Sequence, residues 1–224
     1  MAINVHELEL FCEDWLRKAK FYQRQITGRP IDLPPFQTSM RQRVTQRRNE
    51  ISNLRHSFDR FMSLYIVFNR VYLEVGKLLV ALGQVRVSPS RRYAPLSDRI
   101  TATSHVVDYY GGAALRNDMR DDGTCRAAIE ALVELIRGHH FYLHEDYRTG
   151  SPDFDKDADL AKKARKYDPK AVLELIYQAR CNLFHGEKAF EERQRILLDN
   201  MSIVLEFVTV RILAKLRADL KYER

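Results

Sequence analysis

Glycine and proline are scarce in this chain, 9 and 7 among 224 residues, too few for a turn-dense all-β architecture or a collagen-like repeat. Long hydrophobic runs are missing as well. The densest patches, "LYIVF" and "LLVALG", stop after about six residues, where a membrane-spanning helix needs about 18. No membrane association is expected. The three cysteines, Cys12, Cys125 and Cys181, are odd in number and form no C-x-x-C pair, which argues against a disulfide framework or a zinc ribbon. The first residues, "MAINVHELELFCEDW", carry acids where a secretory signal needs a basic start and an apolar centre. A cytoplasmic protein with reduced thiols is therefore expected. A cluster of His139, His140, His144, Glu145 and Asp146 lacks the helical or finger-like framework that holds a metal, so neither metal nor cofactor is indicated.

What the chain does contain is 45% hydrophobic and 30% charged residues, the balance of a globular helical protein large enough to bury a core. The net charge is +7, and 26 arginines stand against 11 lysines. Arginine presents a planar fork suited to phosphate, so this excess points to an anionic partner such as RNA. Positive charge speaks for encounter rather than for a site.

Apolar spacing places the helices. Val5, Leu8, Cys12, Trp15 and Ala19 recur at three and four, predicting a helix over 3–27 that stops at Gly28 and Pro30, followed by the stiff linker "GRPIDLPPFQTS". From Met40 to Leu82 there is no proline, and a seam from Ile51 through Phe61, Tyr65, Phe68, Tyr72 and Leu79 marks one long central helix. A second row, Met62, Ile66, Leu73 and Val80, runs through Asn69 and Gly76. Ser97 is a candidate cap for a shorter helix ending at Gly111 and Gly112. Another helix follows Thr124 on Cys125, Ile129, Leu132 and Ile136. The stretch 138–157 shows no sustained period and reads as a long surface connection. Asp168 then caps a helix starting at Pro169 and running to His185 and Gly186, and a final helix covers Glu191 to Tyr222. The expected architecture is all-α: an N-terminal helix and linker over 1–39, and a helical bundle with long central helices over 40–224.

The segment "LIYQARCNLFHGEK" carries the chemistry. Leu173, Ile176, Arg180 and Phe184 share one helical row, which plants Arg180 among apolar neighbours, where a guanidinium wants an anion. His185 follows five residues later, roughly 140° around an ideal helix, so one copy of the pair is poorly placed to clamp a single phosphate. Spacing alone is weak evidence. Arginine followed by histidine at this distance occurs about twice by chance, and three instances are present: Arg99 with His105, Arg137 with His144, and Arg180 with His185. Only the last has its arginine on a strongly patterned helix and its histidine at a glycine-terminated end.

In this segment the sequence resembles the HEPN domains, all-helical modules of bacterial defence and toxin systems, whose Arg-x4–6-His motif often reads R-[polar]-N-L-x-H-G. "ARCNLFHGEK" is similar to that motif. A second likeness lies about 110 residues earlier, where "DRFMSLYIVFNRVY" is similar to the W/Y-I-A-F-N-x-x-Y helix of such proteins. The resemblance implies a HEPN-like bundle acting as a homodimeric, metal-independent endoribonuclease, with a possible antitoxin or other regulatory protein as partner. It assigns catalysis to Arg180 and His185 and support to Asn182 and Asn69. Cys181 departs from the family pattern, which has Asn, Asp or His after the arginine.

The chemistry fits those residue types. Metal-free RNA cleavage needs a group titrating near neutrality to exchange the 2′-hydroxyl and leaving-group protons, and histidine is that group. A fixed guanidinium favours the extra negative charge of the phosphorane. Arg41, Arg43, Arg47, Arg48 and Lys188 are candidates for contacting the RNA backbone. The competing readings are a non-catalytic HEPN-type module binding RNA, nucleotide or protein, and a structural Arg180 paired with Glu174 or Glu187 beside a capping His185.

Overall fold

The computed structural model describes residues 5–25, 40–86, 96–146, 148–184 and 192–222, with side chains described for 6–25, 51–86, 96–183 except 147, and 194–220. The architecture is all-α. The elements are α1 (Val5–Gln25), α2 (Met40–Ala81), α3 (Asp98–Ile100), a π-helical turn (Thr101–His105), α4 (Val106–Tyr110), α5 (Gly112–Asp121), α6 (Gly123–Arg137), α7 (Phe154–Ala164), α8 (Pro169–Phe184) and α9 (Glu192–Tyr222). Among the described residues there is no strand, only an isolated bridge between Glu145 and Pro152.

The long helix α2 is the axis. It packs on α1 and α9 along its length, α9 continues the core onto α6, and α8 lies against α7 and the π-helical turn. The predicted seam is the reason: Phe61, Tyr65, Phe68, Tyr72, Val75 and Leu79 are all buried, while Ile51 and Leu82 at its two ends are exposed. The second row is peripheral, with Met62 and Ile66 half-buried and Leu73 40% exposed. Helix α1 shares this core through Leu8, Cys12 and Ala19, and Arg217 of α9 pairs with Glu9 at 2.9 Å. A part-buried ion pair, Arg60 to Glu206 at 3.1 Å, ties α2 to α9 beside the apolar contact.

Local chemistry sets the helix starts. The Ser97 hydroxyl accepts from the Ile100 amide and Asp168 accepts from the Lys170 amide, as their cap positions predict. Asp122 caps α6 by accepting from Cys125 N at 2.8 Å. Gly111, at φ 103°, makes the break between α4 and α5 in a conformation that side chains rarely adopt. Gly76 lets the segment after residue 95 approach α2, since a Cβ there would lie 2.7 Å from Leu96 Cδ1 and 3.0 Å from Thr101 Cγ2.

The structure corrects the reading of 138–157 as a surface connection. Leu143 and His144 are buried, and helix α7 begins at Phe154, capped by Asp153 accepting from Lys156 N at 3.1 Å. The stretch folds inward because the Asp157 carboxylate, 1% exposed, binds its backbone: one oxygen accepts from Leu143 N at 2.6 Å and the other lies 2.6 Å from His144 Nδ1. The linker "GRPIDLPPFQTS" and most of the loop before Ser97 lie outside the described residues.

Candidate functional site

Arg180 sits in the last two turns of α8, half-buried, on the side that faces α2. Its guanidinium carbon is 5.2 Å from the ring centroid of Tyr65, within cation–π range. That ring is fixed by its own neighbours. Tyr65 is 2% exposed and belongs to an aromatic ladder along α2, with centroid separations of 6.2 Å to Phe61 and 6.1 Å to Phe68, and 5.3 Å from Phe68 to Tyr72. The Tyr65 hydroxyl is buried with no hydrogen-bond partner among the described residues. Burial raises its pKa well beyond the usual phenol range, against the opposing pull of Arg180. Burial also works against the charge on Arg180, but the Tyr65, Cys181 and Asp98 side chains around it outweigh burial and raise its pKa.

Around this pair lies a polar cluster at the junction of α2, α3 and α8. Tyr72 of α2 donates its hydroxyl to Asp98 Oδ1, and Tyr177 of α8 donates to Asp98 Oδ2 at 3.0 Å. Burial and the Asp98 carboxylate together push both phenols far above their ordinary pKa. Next to it, Arg99 pairs with Glu174 at 2.6 Å, one of the two carboxylates considered as a structural partner of Arg180; the other, Glu187, lies outside the described residues. The π-helical turn starts directly after this cluster, and such turns within helices recur at functional sites.

The remaining sequence candidates divide clearly. Asn182 faces away from Arg180: its Nδ2 donates to the Leu143 carbonyl at 2.8 Å, and its Oδ1 accepts from Gln178 at 3.1 Å. Its amide therefore anchors α8 to the segment held by Asp157. Asn69 lies on the second row of α2, half-buried, and makes no hydrogen bond to another described residue. His185, Glu187 and Lys188 lie outside the described residues, as do the side chains of Arg41, Arg43, Arg47 and Arg48 in the first turns of α2. In the histidine cluster, His144 pairs with Asp157 and His139 packs edge-on against Phe154 at 4.3 Å. Among the described residues no three histidine, cysteine or acidic side chains converge as metal ligands.

Sequence reading singled out Arg180 but missed Asp98 and Tyr177, and took Tyr65 and Tyr72 for core alone. The one signal available was the tyrosine three residues before Arg180, which an α-helix places one turn away on a neighbouring face. Among the described residues no helix is long and apolar enough to cross a membrane. The chain matches no protein-family model, no curated protein and no solved structure.

Proposed function

We propose that this chain is a HEPN-type, metal-independent endoribonuclease of the cytoplasm, acting as a homodimer in a bacterial defence or toxin system. One observation carries the reading. The two segments that resemble HEPN proteins are far apart in sequence, yet the arginine of one lies over the first tyrosine of the other, 5.2 Å from its ring. Stacking on a buried ring restrains a guanidinium while leaving its N–H fork free to be shared with an oxyanion, the property a phosphorane stabiliser needs.

In this mechanism the nucleophile is the RNA's own 2′-hydroxyl. His185 accepts its proton as the oxygen attacks phosphorus, and a histidine returns a proton to the departing 5′-oxygen. Arg180 holds the extra charge of the pentacoordinate phosphorus. The products are a 2′,3′-cyclic phosphate and a 5′-hydroxyl. A two-fold axis near α8 brings two Arg/His pairs to one cleft, providing separate groups for the base and acid steps. The arginines at the start of α2 and Lys188 contribute backbone contacts that weaken with salt. An antitoxin or other regulatory protein covering the cleft is the matching control.

The alternative is a non-catalytic HEPN-type module that binds RNA, nucleotide or protein, favoured by the engagement of Arg180 with the Tyr65 ring. Mixed RNAs incubated in EDTA separate the two. Cleavage by the wild type and none by His185→Ala supports the nuclease, whereas binding without cleavage by the wild type supports the module.

A further inference from the structure

We infer that Asp98 is the positioning residue of the Arg180 site, a clasp whose two carboxylate oxygens set α8 against α2 so that the guanidinium rests on Tyr65; the role in turnover rests on the ribonuclease reading above. The geometry is specific to the carboxylate. Each oxygen takes a different tyrosine: Tyr72 from α2 on Oδ1 and Tyr177 from α8 on Oδ2 at 3.0 Å. Tyr72 lies two helical turns beyond Tyr65, and Tyr177 lies one turn before Arg180. Shifting either helix along the other breaks one of the two bonds. A single hydrogen bond would permit a pivot, whereas two bonds to one planar group resist it.

Three features support the clasp. Tyr72 is 1% exposed, so its hydroxyl needs this acceptor, and no other described residue is bonded to it. Asp98 opens α3 directly after the Ser97 cap, which fixes its backbone, and the π-helical turn that follows packs on both α2 and α8. The adjoining Arg99 to Glu174 pair at 2.6 Å adds a second link from α3 to α8, one turn before Tyr177. Asp98 itself is exposed, while Tyr72 is buried and Tyr177 half-buried. A residue needed only for the core would not be placed there.

Charge gives the inference a distinctive signature. Asp98 is an anion beside the phosphate-binding arginine, so simple electrostatics predicts that neutralising it strengthens RNA binding. A positioning role predicts the opposite for turnover. In Asp98→Asn, KM should stay within twofold or fall, while kcat drops at least tenfold. Tyr177→Phe removes one bond of the clasp from a half-buried ring and should lower kcat by a similar factor. The double variant should be no worse than Asp98→Asn alone, because both changes act through one link. Multiplying losses would overturn the clasp.

A second readout does not depend on catalysis. In protein with 15N-labelled arginine, the Arg180 Nε–H signal, assigned by its loss in Arg180→Lys, reports its position over the Tyr65 ring. It should move in both Asp98→Asn and Tyr177→Phe. If the wild type cuts no RNA but the signal moves, the ribonuclease reading falls and the clasp stands. If the signal stays in place in both folded variants, the clasp is overturned whatever the RNA does.

Discussion

Replacing Asn182 by alanine separates an anchoring role from a catalytic one. Its Nδ2 donates to the Leu143 carbonyl at 2.8 Å, and Leu143 is 1% exposed, so the truncation leaves a buried acceptor without its donor. Losing a net hydrogen bond of about 1 kcal/mol and stranding a carbonyl at a further 1 kcal/mol or so gives about 2 kcal/mol. The bond from Gln178 to Asn182, at 3.1 Å on the helix surface, adds little. For a domain of this size about 2 kcal/mol lowers the melting temperature by about 4–8 °C. Urea unfolding followed by helical circular dichroism should show a lower midpoint with an unchanged slope. Asn182→Asp should be at least as damaging, because it sets a carboxylate oxygen against the carbonyl. An Asn182→Ala protein that melts within 1 °C or so of wild type yet loses all RNA cleavage would refute this reasoning and return the amide to the substrate.

Other consequences follow from buried charge and from titration. Glu206→Ala strands Arg60, whose side chain is 6% exposed, without its carboxylate and should cost about 3 kcal/mol in chemical denaturation. Burial, and next Lys170 against the opposing Asp108, lowers the His105 pKa, so the folded state binds this proton less readily than the unfolded chain. The stabilisation from neutral His105 is complete above about pH 6.5 and is lost as pH falls below it. Melting curves of His105→Asn should therefore fall less steeply with acidification than those of wild type. Burial pushes the thiol of Cys12 up to about 11 and that of Cys125 up to about 12, whereas Cys181 is half-exposed beside Arg180. A disulfide reagent at pH 8 should titrate one thiol rapidly in the native protein, and Cys181→Ser should abolish that phase.

The sequence made some elements legible and hid others for physical reasons. Helices α2 and α9 announce themselves because large apolar residues recur at three and four over many turns. Helix α5 does not, since only Leu115 and Met119 are buried along its ten residues and it opens on a glycine. Helix α7 was invisible for a related reason: its buried positions are Asp157, Ala161 and Ala164, two small residues and an acid that binds backbone. At the site, Arg180 stood out as a charge in an apolar row. Tyr65 and Tyr72 looked like core, and they are, but what their rings and hydroxyls meet depends on how α8 and the segment after Ser97 fold back. No local pattern reveals that Asp98 lies between two tyrosines drawn from helices about 100 residues apart.

The central claim concerns the bond that breaks and the group that breaks it. A short RNA carrying one 2′-O-methyl position per strand, incubated with the protein in EDTA and read by mass spectrometry, tests it directly. The account predicts cleavage at unmodified positions, fragments ending in 2′,3′-cyclic phosphate and 5′-hydroxyl, and no cut 3′ of the methylated residue. Both His185→Ala and Arg180→Lys should be severely impaired, the latter because a point charge does not replace the planar fork. Fragments with 5′-phosphate ends, or cutting that appears only when magnesium is restored, would contradict it.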